Sequence, residues 1–260
     1  PILLERGKPV EERTADVERF WTTGELDFQS NVQFGEGGAG AFSDGKLNTG
    51  TRDLSHRFLL KQLVAHGAPE SILYDAKPHV GTDYLHRVLV SIRQELVDLG
   101  CDIRFGHRVT GLALEEGRLS ALEVTGPQGT YVLPAREAVL ALGNSARDTF
   151  EMFHAAGVPM EPKPLAVGVR IEHLQKDMDA VQYKAQAGHP RLGAATYKLS
   201  CHLESGRSVF SFCVCPGGSV VAAASEESRA VTNGMGLYAR DGGNINGGLL
   251  VSVTPEDFPG

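Results

Sequence analysis

The densest set of residues able to do chemistry lies at 31–50, NVQFGEGGAGAFSDGKLNTG. Gly35, Gly37, Gly38 and Gly40 alternate with small residues, and Ser43, Asp44, Gly45 and Lys46 then add a hydroxyl, a carboxylate, a turn and the only cation of the stretch. Glycine loses the most backbone entropy on folding, so this density marks a loop that needs positive φ or needs bare backbone against a ligand. Successive N–H groups pointing one way form an anion-binding concavity, and the expected ligand is phosphorylated or planar. Phe34 and Phe42 flank the run. A flexible linker rarely carries such a pair, so a ligand cradle is preferred to a linker.

Three further sets carry candidate chemistry. Lys77, His79, Thr82 and Asp83 crowd before an amphipathic helix, where Thr82 or Asp83 is the natural N-cap and His79 is left as a candidate proton carrier. Cys213 and Cys215 form a C-x-C that would put both thiols on one face of a strand, immediately before Pro216-Gly217-Gly218. Zinc sites pair such a couple with a second one, and only Cys201 and His202 are at hand, so no metal is expected. Finally, the apolar run Ile2–Leu4 ends in Glu5 and Arg6. In dinucleotide-binding units an acid at the end of the second strand accepts the ribose hydroxyls, which makes Glu5 a candidate for that role.

Composition limits what these sets can belong to. The chain has 260 residues, 42% apolar and 22% charged, ordinary for a folded protein large enough for two domains. A net charge of −7 and the lack of a Lys/Arg run argue against nucleic acid. No apolar run approaches the ~20 residues of a membrane span. Four unevenly placed cysteines suit reduced thiols, and a cytoplasmic setting with a small-molecule substrate is expected.

The elements that must position these residues follow from periodicity. Helices are expected around 10–21 and 54–66, the latter with Leu54, Phe58, Leu59 and Val64 on its apolar face. A third carries Leu85, Val88, Leu89, Ile92, Leu96 and Leu99 on one stripe and stops at Gly100. Period-two alternation from Ile103 through Val109 to Leu133, with turns at Glu116-Gly117 and Gly126–Gly129, predicts a three-stranded meander. Ala138–Leu142 reads as a buried strand delivered to Gly143, Asn144 and Ser145. Further strands are expected at 166–171, 208–215 and 220–224; if these segments form a substrate domain, Pro216–Gly218, His189, Tyr197 and Lys198 would line its cavity.

Taken together, ILLERG at 2–7, NVQFGEGGAGAFSDGKLN at 31–48, KPHVGTD at 77–83, ALGNSARDTFEMF at 141–153, FCVCPGG at 212–218 and VTNGM at 231–235 resemble a central piece of the large bacterial FAD-dependent oxidoreductases described as NAD(FAD)-utilising dehydrogenases. These are relatives of the glutathione-reductase-type flavoproteins. Ala41 and Asn144 depart from the pattern, where a threonine and a histidine are expected.

The resemblance implies an α/β fold. A Rossmann-like FAD/NAD(P)-binding domain would cover 1–150, lacking its first strand and helix and carrying an inserted β-meander at about 110–135. A mixed α+β substrate or cap domain would cover 151–260, truncated at its C-terminus. It further implies FAD as cofactor, with NAD(P)H as candidate electron donor. Glu5 and Arg6 would lie at the ribose, and Gly37, Gly38, Ser43, Asp44, Gly45 and Lys46 near the pyrophosphate and isoalloxazine. Val109 would sit near the adenine and Gly143 on the opposite side. His79, Lys46 and Cys215 are the candidate catalytic groups. The alternative is a non-flavin enzyme or binding module for a phosphorylated ligand, with Cys215 as nucleophile.

Overall fold

The computed structural model describes residues 1–47 and 54–258, so the end of the glycine-rich stretch, 48–50, lies outside the described residues. The chain is mixed α/β. Strand β1 (Ile2–Glu5) turns at Gly7 into helix α1 (Val10–Thr23), which stops where Gly24 takes a φ of 82° and donates to the Phe20 carbonyl. The glycine-rich stretch follows as a loop containing one 3-10 segment, Gly38–Phe42. Helices α2 (Leu54–Ala65) and α3 (Thr82–Asp98) precede strands β2 (Asp102–Phe105), β3 (Arg108–Glu115), β4 (Arg118–Gly126) and β5 (Gly129–Pro134). Next come helix α4 (Arg147–Ala155), strand β6 (Leu165–Leu174) and helix α5 (Gln175–Tyr183). Strands β7 (Ser200–His202), β8 (Ser208–Cys215), β9 (Ser219–Ala222), β10 (Thr232–Met235) and β11 (Asn244–Val253) complete the order. No described helix is long and apolar enough to cross a membrane.

Two compact units divide these elements. The first comprises residues 1–39, 92–161 and 223–229. In it β1 pairs in parallel with β2, Ile2 opposite Asp102 and Glu5 opposite Phe105. The alternation over Ile103–Val109 predicts one meander strand there, and the structure breaks it in two. Gly106 adopts a φ of 70° and donates to the Gly7 carbonyl, while His107 donates to that of Glu5, so 102–105 belongs with β1 and the antiparallel sheet β3-β4-β5 starts at Arg108. The expected strand Ala138–Leu142 does not form, and Val139 is 97% exposed. A continuous apolar run is stable as a strand only between partner strands, and the parallel sheet of this unit consists of β1 and β2 alone.

The second unit comprises residues 40–91, 162–222 and 230–260. Its main sheet is antiparallel in the order β6-β11-β8-β7, with β11 central and Leu165 to Leu174 registered on Val253 to Asn244. A smaller pair joins β9 to β10. On α2 the expected apolar face is turned outward: Leu54, Phe58 and Leu59 are exposed, and Leu60 is the buried residue. At the start of α3 neither expected cap acts as one. The Thr82 hydroxyl donates to the Ser43 carbonyl, and the Asp83 carboxylate accepts the Tyr238 N–H.

Candidate functional site

In the first unit the glycine-rich loop is organised by a residue that the sequence reading passed over. Arg13 lies on the same stripe of α1 as Val10 and Val17 and is fully buried. Its Nε donates to the Asn31 carbonyl at 2.8 Å, Nη1 to those of Gly35 at 3.2 Å and Glu36 at 2.6 Å, and Nη2 to those of Val32 and Gly38, each at 2.9 Å. Burial draws the guanidinium down to about 10, against the opposing pull of Glu5 and Glu36. The loop is therefore a shell of carbonyls around an internal cation. Gly35 is required by that packing, since a Cβ there would stand 2.4 Å from the Arg13 Cδ. The available signal was a charged residue at i+3 in an i, i+3, i+7 apolar pattern, a position that demands buried acceptors.

Glu5 ends the parallel strand β1 and is fixed by the same loop. Its Oε1 accepts the Gly7 N–H at 2.8 Å and the Gly35 N–H at 3.0 Å, and among the described residues Oε2 has no hydrogen-bond partner. Arg6 is spent elsewhere: its two Nη atoms clasp Asp148 at 3.0 and 2.8 Å, and its guanidinium lies 4.0 Å over the Phe34 ring. Arg108 joins the same carboxylate, so Asp148 titrates below its usual range although burial pulls the other way. Val109 sits in β3 opposite Val124, and Gly143 is exposed with a φ of 70°. Gly37 and Gly38 take φ of 81° and 57°, and at Gly38 and Gly40 a Cβ would meet nothing within 4 Å. The loop reads G-x-G-x-x-G over 35–40, yet it follows no strand and enters only a 3-10 segment, so it lacks the strand-turn-helix setting of a dinucleotide fingerprint.

In the second unit the fold brings Lys46, His79 and Cys215 together. The backbones of Lys46 and His79 form an antiparallel bridge, with Leu47 donating to the Pro78 carbonyl and Val80 to that of Gly45. Gly45 permits the crossing, because a Cβ there would lie 2.7 Å from the Gly81 nitrogen. Asp44, 1% exposed in its side chain, is clamped by Lys46 at 2.5 Å and by Arg240 at 2.6 Å. Lys46 Nζ also stands 3.5 Å from Cys215 Sγ. Ser43 donates to the Gly40 carbonyl and accepts the Gly45 N–H, shaping the turn. His79 points Nε2 at the Tyr238 carbonyl, 2.9 Å away, and stacks on that residue's ring. A carbonyl can only accept, so Nε2 carries the proton and Nδ1 is the basic nitrogen. Burial holds the His79 pKa below its usual value and keeps the ring neutral near pH 7.

Farther along, Tyr197 Oη meets His173 Nε2 at 3.2 Å, whereas His189 and Lys198 are exposed. The C-x-C is not on a regular strand. Asn246 is registered with Cys215 and Gly248 with Phe212, so β8 carries one extra residue at a bulge, where Cys213 takes a φ of 44°. No cluster of metal-ligating side chains occurs among the described residues.

Comparison with known proteins bears on the second unit first. Residues 164–260 match the family model described as FAD-dependent protein, C-terminal domain-like. Over its whole length the chain is 49% identical to a protein of Clostridium beijerinckii described as uncharacterized, and it spans 48% of that relative's length. Among solved structures it is similar to OxyS anhydrotetracycline hydroxylase from Streptomyces rimosus, with 14% identity and a TM-score of 0.38 over 98% of this chain and 46% of that one. It is also similar to the glycerol-3-phosphate dehydrogenase from Bacillus halodurans complexed with FAD, at 11% identity and 0.38 over 97% and 47%. Scores of this size are too low to assign a shared topology.

Proposed function

We propose that this chain is part of an FAD-dependent oxidoreductase acting on a small molecule, with a pyridine nucleotide as electron donor. The observation that carries the reading is Glu5, an acid at the carboxyl end of a parallel strand whose Oε1 is fixed by two backbone N–H groups while Oε2 has no hydrogen-bond partner among the described residues. That is the arrangement a ribose diol needs in an acceptor, and the match of 164–260 to the model of an FAD-dependent protein's C-terminal domain supports FAD as the cofactor. Bound FAD would supply the hydride chemistry. Gly38 and Gly40 leave backbone open for close approach. His79 Nδ1 is the proton acceptor, and Lys46 is a donor held in place by Asp44. The small-molecule substrate accords with the net charge of −7.

Titrating the purified chain with FAD, followed by flavin fluorescence and calorimetry, tests the reading. Glu5→Gln keeps an acceptor for Gly7 and Gly35 but removes the charge, and should weaken binding about 10-fold or more, the value of one charge-assisted hydrogen bond. Gly40→Val, tolerated by the fold because the space is open, should weaken it too. Parent-like affinity in both variants would refute the assignment.

A further inference from the structure

The bulge in β8 sets up a pair of thiols that a flavin-binding role does not require. In a regular strand residues i and i+2 stand about 6.6 Å apart, from a rise of ~3.3 Å per residue, whereas a disulfide needs Cβ atoms ~3.5–4.5 Å apart. The extra residue and the left-handed Cys213 take the pair out of this regular geometry. Cys215 Sγ donates to the Cys213 carbonyl oxygen at 3.3 Å, so the second thiol is turned back onto the first cysteine. A non-glycine residue at positive φ persists only where its surroundings impose it, and such positions cluster at functional sites. Here Arg170 Nη1 holds the Cys213 carbonyl at 3.3 Å and the Asn246 Oδ1 at 2.7 Å.

The surroundings favour a thiolate. A Cβ added to Gly234 would lie 2.5 Å from Arg170 Nη1, 2.7 Å from Asn246 Oδ1 and 2.7 Å from Cys215 Sγ, so these groups converge on one point that only glycine leaves open. Asn246 is fully buried, and its Nδ2 has no hydrogen-bond partner among the described residues. The neighbouring Cys215 thiol, with Lys46 and Arg170, holds Cys213 below the usual thiol range against the effects of burial and of Asp44. Cys215 is pushed up by the neighbouring Cys213 thiol and by burial. Cys213 is half-buried and Cys215 is wholly buried, so an incoming molecule reaches Cys213 first.

We propose that Cys213 and Cys215 form a dithiol site that reduces low-molecular-weight disulfides by thiol–disulfide exchange. The Cys213 thiolate attacks one sulfur of the substrate R–S–S–R, forming a mixed disulfide and expelling RS⁻. Cys215, 3.5 Å from the Lys46 ammonium, loses its proton to the expelled thiolate. Its sulfur then attacks that of Cys213, closing the internal disulfide and releasing a second RS⁻, which takes a proton from solvent. Two substrate thiols are formed and the protein loses two hydrogens. The step needs no flavin, so its failure and that of the oxidoreductase reading are separable.

The test uses the full chain with Cys101→Ser and Cys201→Ser, reduced, and 4,4′-dithiodipyridine as the disulfide. Released thiopyridone is followed by absorbance and the product by intact mass. We expect two thiopyridones per chain and a protein carrying no adduct and lighter by two hydrogens. Adding Cys215→Ser should stop the reaction at one thiopyridone with a stable adduct. Adding Cys213→Ser should slow the remaining thiol at least ~10-fold, and the two rates should converge in urea. A protein that keeps two pyridyl adducts, one that reacts only when unfolded, or a Cys213→Ser variant as fast as the parent would overturn the proposal.

Discussion

Replacing Arg13 with Met tests whether the glycine-rich loop is built around an internal cation. The substitution keeps an unbranched side chain on the α1 stripe and removes five donated hydrogen bonds, to the carbonyls of Asn31, Val32, Gly35, Glu36 and Gly38. Exchanging a buried ion pair for apolar residues is often harmless because both partners change. Here the partners are backbone carbonyls, which no substitution removes. The Gly35 carbonyl keeps the Gly38 N–H, so four buried acceptors are left unpaired, and at about 1 kcal/mol for each the gross loss is about 4 kcal/mol. Relief of the guanidinium's desolvation returns part of this, leaving a net loss of about 2–3 kcal/mol, at the upper end of the usual range for a single mutation. Arg13→Lys keeps the charge but offers three donors to five acceptors and should lose about half as much. Equilibrium urea unfolding gives the stability, and amide exchange over 31–38 shows whether the loss is in the loop. A Met variant within about 1 kcal/mol of the parent, with exchange unchanged, would refute the reasoning.

Two further outcomes are expected. Gly236→Ala places a Cβ 2.7 Å from Asp44 Oδ1 and must displace a carboxylate that both Lys46 and Arg240 hold. A loss of about 1–2 kcal/mol should appear in thermal unfolding, and an unchanged midpoint would show that Asp44 has room to move. Asp16, Asp148 and Asp257 all titrate below their usual value of 3.8, Asp16 and Asp148 because their basic partners outweigh burial and Asp257, at about 2, because Arg207 donates to it. A depressed carboxylate contributes stability that is full above its unfolded pKa and is lost as pH falls through the folded one. Urea midpoints should therefore fall between about pH 4 and pH 2, and a flat profile there would contradict these pairings.

The fold was legible where a strong period met a defined stop. The stripe from Leu85 to Leu99 and the left-handed Gly100 gave α3, and Glu116-Gly117, with φ of 51° and 74°, gave the turn between β3 and β4. It was not legible where the same pattern suits two partners. Alternation over Ile103–Val109 is equally good for a meander strand and for a strand beside β1, and only the long-range hydrogen bonds of Gly106 and His107 to Gly7 and Glu5 decide between them. Apolarity at Ala138–Leu142 shows what a run would do if neighbours enclosed it. It does not supply the neighbours. The C-x-C failed for a different reason: one inserted residue in β8 changes the geometry of both thiols, and a bulge leaves no mark on a period of two read from one strand.

At the glycine-rich loop, composition showed that bare backbone was needed and gave no sign of what it was needed for. Several of the glycines serve the protein itself: Gly35 clears Arg13, Gly45 clears Gly81, and the carbonyls of 31–38 face a guanidinium. The acceptors of that guanidinium are main-chain atoms, which every residue type supplies, so no motif names them. What the sequence does show is a charge on a buried helical stripe, and such a charge cannot remain unless some backbone wraps it. Gly38 and Gly40 are different, because a Cβ at either would touch nothing. Packing does not account for glycine there, and Gly38 needs it only for its φ of 57°. Of the loop's described glycines, Gly40 is thus the one whose lack of a side chain is best explained by something that approaches from outside, and Gly40→Val with FAD is the most discriminating measurement on this loop.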